Sequence, residues 1–194
     1  NQNGYEQVLN NTLIATAKAT GGRMLVLFTS YTALKKAAKA ITGPLARDDI
    51  YVYEQGDGAS PNALLESFKA TERAVLLGTK SFWEGVDVPG DSLSVVVITK
   101  LPFDVPTDPL IAARSETYED SFNQYYLPEA ILKFRQGFGR LIRTASDRGV
   151  VVILDRRVLT KQYGRMFLES LPPCTARQGP ASNLPREAGS WLGM

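Results

Sequence analysis

Ala74-Val-Leu-Leu-Gly78-Thr79-Lys80 is the stretch from which the fold can be read. Unbroken apolar residues with no polar alternation suit a strand buried on both faces of a parallel sheet. The run stops abruptly at a glycine, a hydroxyl and a cation, which is the chemistry of a phosphate-reading turn. Similar runs lie on either side, at Met24–Phe28, Asp49–Tyr53, Leu93–Thr99 and Gly149–Leu154. Helical patterns separate them. Tyr5–Ala19 reads as an amphipathic helix, and Thr32–Ile41 as a helix stopped by Gly43-Pro44. Ser60-Pro61 and Asp108-Pro109 each pair an N-cap with a proline at the first helical position, the second helix running to about Tyr118. Pro128 opens a helix expected to reach Thr144, and another is expected over Leu159–Leu171. Strand–helix alternation of this kind predicts an α/β fold with a parallel sheet sandwiched by helices. Ligands in such folds gather at the carboxyl ends of the strands. Here those ends are Thr29-Ser30, Gln55-Gly56, Gly78-Thr79-Lys80, Lys100 and Asp155-Arg156.

Composition narrows the chemistry. The chain has 194 residues, enough for one domain with little room for a second. Residues 1–172 carry the strand–helix pattern. Residues 173–194 are rich in Pro, Gly, Ala and Ser and are expected to be poorly ordered. A net charge of +2 excludes a general polyanion-binding coat, so any nucleic-acid contact must be local. With no histidine and a single cysteine, Cys174, the chain cannot build a His-based triad, a Cys/His zinc site, an intrachain disulfide or an iron–sulfur cluster of its own. The longest apolar runs are too short to span a bilayer, no signal peptide is evident, and sparse cysteine suits a reducing cytoplasm.

Gln136-Gly-Phe-Gly-Arg140-Leu-Ile-Arg143 carries the second set of chemical groups. Projected as a helix, Gln136, Arg140 and Arg143 fall within about 60° of arc, opposite an apolar side that includes Phe134, Phe138 and Leu141. Gly137 and Gly139 cost helix stability of about 1 kcal/mol each relative to alanine, so a close neighbour is expected beside them. Two anchored guanidiniums facing outward suit a polyphosphate.

The third segment is Leu77-Gly-Thr-Lys-Ser-Phe-Trp-Glu84-Gly85-Val-Asp87. Gly78 and Thr79 can offer backbone amides and a hydroxyl to phosphate. Glu84 and Asp87 are acceptor-only groups, suited to a ribose hydroxyl, a water or an arginine. Phe82 and Trp83 suit a core as well as a stacking surface.

Taken together, Met24-Leu-Val-Leu-Phe-Thr-Ser30-Tyr, Leu77–Asp87 and Gln136–Arg143 continuing to Asp155-Arg-Arg157 resemble motifs IV, V and VI of superfamily 2 helicases. Lys100-Leu-Pro-Phe103 and Leu127-Pro128 fit as well. The match lies in the second, RecA-like motor domain of the DinG-type branch related to XPD, and covers about residues 20–172. The wording of motif VI is closer to bacterial DinG and YoaA proteins than to eukaryotic XPD. The resemblance implies that Arg143 is the arginine finger, with Arg140 beside it and Gln136 positioning them or the attacking water. It implies that Glu84, Gly85 and Asp87 face the nucleotide. It also implies that Thr29, Ser30, Gly78, Thr79 and Lys80 meet the backbone of single-stranded DNA.

What the chain lacks is equally informative. It contains no G-x-x-x-x-G-K-S/T phosphate loop, no DEAH-like acidic run for magnesium and no four-cysteine set. In the resembled family these belong to the first motor domain. The chain is therefore expected to be a half-site, inactive alone. ATP and Mg2+ would be shared with a first motor domain of the same protein, where an iron–sulfur cluster is also possible. The expected partners are that domain and single-stranded DNA, in the bacterial cytoplasm and away from membranes, with 5′→3′ unwinding in repair or replication. The alternatives are a RecA-like interaction module without enzymatic activity and the motor part of a DinG-type nuclease.

Overall fold

A computed structural model of the protein describes residues 2–84, 93–141 and 148–194. The strands are β1 (Met24–Leu27), β2 (Tyr51–Glu54), β3 (Ala74–Gly78), β4 (Val95–Ile98) and β5 (Val150–Ile153). They form one parallel sheet in the order β2-β3-β1-β4-β5. Each lies within or overlaps an apolar run read from the sequence. β1, β3 and β4 are buried along their whole length, as unbroken apolar runs require.

Strand alternation sorts the core into two layers. Leu25, Leu27, Leu76, Val96 and Ile98 face one side. There they meet Leu64 and Phe68 of α3 (Pro61–Ala70), Phe82 and Trp83 of α4 (Lys80–Glu84), Phe134 of α6 (Leu127–Phe138) and Phe167 of α8 (Gly164–Glu169). Met24, Val26, Val75, Leu77, Val95 and Val97 face the other side. They pack on Leu9 and Leu13 of α1 (Gln2–Ala19) and on Leu34, Ile41 and Leu45 of α2 (Tyr31–Ala46). The short helices α5 (Pro109–Ser115) and α7 (Arg157–Thr160) complete the α-helices described up to α8, and a π-helical turn over Phe122–Tyr126 leads into α6. The expected caps are present: the Ser60 hydroxyl accepts from the Ala63 N–H, and the Asp108 carboxylate from Leu110 and Ile111.

Several boundaries differ from the sequence reading. α2 continues through Gly43-Pro44 to Ala46. Pro44 sits in the last turn, where it forfeits one helical hydrogen bond, while Leu45 behind it is fully buried and favours continuation. The helix expected over Leu159–Leu171 is two short ones, α7 and α8. Gly164 marks the join: a Cβ there would lie 2.3 Å from the Val158 carbonyl oxygen. The helix carrying motif VI ends at Phe138, short of Arg140, with Gly139 as its C-cap. The chain then tightens, the N–H groups of Arg140 and Leu141 donating three residues back to Gly137 and Phe138. This turn buries Leu141 against Gly149, where even a methyl group would collide with the Leu141 side chain.

The C-terminal segment also differs. Residues 172–180 are exposed, but Leu184–Leu192 form a further helix, α9. Ala188 is buried, Gly189 approaches the Ala19 carbonyl at the end of α1, and Leu184 and Leu192 join the core layer beneath α1 and α2. Its apolar face outweighs the Pro/Gly composition that precedes it. No helix among the described residues is long and apolar enough to cross a membrane.

Candidate nucleic-acid and nucleotide site

Parallel strands bring the polar residues after β1, β2, β3, β4 and β5 to one edge. After β1, Thr29 and Ser30 are exposed. The Ser30 hydroxyl caps α2 by accepting from the Ala33 N–H at 3.2 Å, which leaves its own proton available to a ligand. After β3, Gly78 is buried, and a Cβ there would lie 2.6 Å from the Phe82 ring, so this glycine serves packing. Lys80 is exposed at the start of α4. Thr79 between them is buried. Both its backbone N–H and its hydroxyl donate to Gln55 Oε1 after β2, at 2.7 and 2.9 Å. Gln55 Nε2 in turn donates to the Ser81 hydroxyl at 2.7 Å. A phosphate can use the Thr79 donors only after Gln55 gives them up.

The motif VI side meets this edge through Trp83. Its indole is buried, and Nε1 donates to the Phe28 carbonyl at 3.1 Å. α6 lies directly on the indole: a Cβ on Gly137 would be 2.8 Å from Trp83 Cζ3 and 3.2 Å from Leu27 Cδ1. The close neighbour expected beside Gly137 is therefore this indole. Arg140 is half-buried, and its Nη2 donates to the Trp83 carbonyl at 2.9 Å. A guanidinium is well placed against carbonyls at the end of a helix, here α4. Gln136 is half-buried, and its Oε1 has no hydrogen-bond partner among the described residues. Gly85, Asp87 and Arg143, together with the Glu84 side chain, lie outside the described residues. So does the pairing of Glu84 or Asp87 with an arginine that the motifs suggest.

The β4–β5 flank is held by charge. Asp155, which is buried, accepts from the Leu101 N–H at 2.9 Å and from the Arg157 side chain at 2.6 Å. Burial pushes its carboxyl pKa up, but the Arg157 guanidinium and the Leu101 and Arg157 N–H groups together hold it below the usual carboxylate range. Arg157 also lies over the Phe103 ring, 5.5 Å from its centroid. Lys133 of α6 pairs with Asp104 at 2.5 Å, with both side chains mostly buried. From α1, the Tyr5 hydroxyl donates to the Thr99 carbonyl. Burial first, and the Asp155 charge second, push its pKa up to about 12. The loop from Thr99 to Asp104 is thus fixed by α1, α6 and the end of β5. The sequence shows Gln55 and Asp155 only as polar strand ends. It carries no local signal for the Gln55–Thr79 bond, whose partners are 24 residues apart.

The sheet order, the two helical layers and a site along the carboxyl edge define a RecA-like α/β domain. In three dimensions the chain is similar to a protein titled "Structure of S. tokodaii Xpd4", with a TM-score of 0.55 at 20% identity over 88% of this chain and 34% of that one. Residues 13–174 match the family described as the helicase C-terminal domain, and the chain belongs to that family, in its DinG-type branch. It is 45% identical over 173 residues to a Bacillus subtilis protein named 3'-5' exonuclease DinG, covering 87% of this chain and 19% of that protein. It is 43% identical over 177 residues to the Escherichia coli ATP-dependent DNA helicase YoaA, covering 89% and 27%. A Mycobacterium tuberculosis protein named ATP-dependent helicase DinG is 43% identical over 159 residues, covering 80% and 23%. The chain thus spans about a fifth to a quarter of the length of these relatives.

Proposed function

We propose that this chain is the C-terminal motor domain of an ATP-dependent DNA helicase that moves 5′→3′ on single-stranded DNA in the bacterial cytoplasm. A first motor domain of the same protein holds ATP and Mg2+. Arg143 acts as the finger on the developing phosphoryl charge, Arg140 sits beside it, and Gln136 orients water or the arginines. Glu84, Gly85 and Asp87 face the nucleotide. Thr29, Ser30, Thr79 and Lys80 meet the DNA backbone, with the buried Gly78 behind them letting the turn pack on Phe82. Contacts of that kind read little sequence, as a translocating motor requires.

One observation carries this reading. Arg140 is anchored by α4, the same short helix whose start adjoins Thr79. On this reading, the nucleotide and nucleic-acid roles meet across a single element. The test compares the intact protein with this chain alone. The intact protein is expected to hydrolyse ATP, faster with single-stranded DNA, and to unwind a duplex carrying a 5′ tail. The isolated chain is expected to show no turnover, because it has no phosphate loop. Turnover by the isolated chain that disappears in Arg143→Ala contradicts the half-site. The name of the Bacillus subtilis relative favours a second reading, in which the chain is the motor part of a nuclease. A metal-dependent 3′→5′ digestion by the intact protein distinguishes it.

A further inference from the structure

We propose that Gln55 is a positioning residue that links occupancy of the DNA edge to the placement of Arg140. The inference rests on the function proposed above. Gln55 follows β2 and is only 7% exposed. Its Oε1 accepts from both donors of Thr79, and its Nε2 donates to Ser81. One amide therefore grips the residues on either side of Lys80, the first residue of α4. The other end of α4 is gripped as firmly. Trp83 is tied to β1 through Phe28 and supplies the carbonyl on which Arg140 rests.

α4 has five residues, too few to bend, so its two ends move together. The donors through which Thr79 would meet a phosphate are the ones Gln55 occupies. A phosphate oxygen is a stronger acceptor than an amide oxygen, because its bonds are charge-assisted. Phosphate arriving at Thr79 displaces Gln55 Oε1. The amide then either turns away from Ser81 or draws it along, and the start of α4 shifts. The shift reaches Arg140 through the Trp83 carbonyl. Gln55 touches neither reacting atoms nor nucleotide; it acts through α4. A purely structural Gln55 would satisfy two buried donors and do nothing more.

The two roles separate in the intact protein. Gln55→Met keeps the volume and removes every bond, while Ser81→Ala removes only the link to α4 and is the milder change. Both are expected to lose at least tenfold of the stimulation of ATPase kcat by saturating oligo(dT), with KM for ATP changed less than twofold. Gln55→Glu can still accept from Thr79, and the Ser81 hydroxyl can turn to donate to it. It is expected to regain the wild-type maximum while needing more than fivefold higher oligo(dT) for half-stimulation. Wild-type stimulation in Ser81→Ala overturns the link, whether or not Gln55→Met folds. A parallel loss of kcat with and without DNA in both variants also overturns it, since that marks simple structural damage. An intact wild-type protein whose ATPase ignores single-stranded DNA overturns the function proposed above and this inference with it.

Discussion

At the scale of single residues, Gly137 and Asp155 make the sharpest cases. Gly137 looks like a defect in a helix, and alanine there gains about 1 kcal/mol of intrinsic propensity. Its Cβ, however, would meet the Trp83 indole at 2.8 and 2.9 Å, in the close-packed core. Overpacking of that kind costs about 1–3 kcal/mol. Gly137→Ala is therefore expected to lower stability in urea unfolding, and an increase would show that the indole can move aside. Asp155 is a depressed carboxylate. Its contribution to stability is present above the unfolded value, about 3.9, and is lost as pH falls through the lower folded value. Asp155→Asn removes the charge but leaves Arg157, whose side chain is 37% exposed. Solvent screening reduces the cost to about 1–3 kcal/mol. The difference from wild type is expected to shrink below about pH 4, where Asp155 of the unfolded chain begins to protonate, and to close as pH falls through the lower folded value. A deficit that stays constant between pH 7 and pH 3 would mean that shape, not charge, makes Asp155 matter.

At the scale of elements, the strands were legible because burial on both faces leaves no room for polar alternation. The caps at Ser60 and Asp108 were legible because capping is local chemistry. The end of α6 was not. A wheel drawn through Arg140 and Arg143 assumes that the helix continues, and the burial of Leu141 against Gly149, several residues further on, stops it. The same limit hid the Gln55–Thr79 bond, which depends on β2 and β3 being neighbours. Composition misled at α9: the Pro- and Gly-rich residues before it masked an apolar face that the end of α1 and the lower core receive. Deleting residues 181–194 uncovers Leu184, Ala188 and Leu192, and is expected to cost about 2–4 kcal/mol. Urea unfolding of the truncated chain at unchanged midpoint would mean that α9 rests on the domain without supporting it.

At the scale of the whole molecule, the proposed function makes the chain one edge of a site that a partner domain completes. A net charge of +2 gives little long-range attraction, so binding of single-stranded DNA by this chain alone is expected to be weak and salt-sensitive. In an NMR titration with oligo(dT), shifts are expected at Thr29, Ser30, Thr79 and Lys80. Shifts confined to Gln136–Arg140 would place the strand on the wrong face. The central claim is that the arginines after α6 complete a catalytic site held by the first motor domain. Arg143→Ala in the intact protein tests it most directly, with DNA-saturated ATP hydrolysis and oligo(dT) affinity measured on the same preparation. The expected result is a fall in kcat of about 10³–10⁵-fold with DNA affinity nearly unchanged. A wild-type kcat in that variant would contradict the claim and leave the arginine as solvated surface.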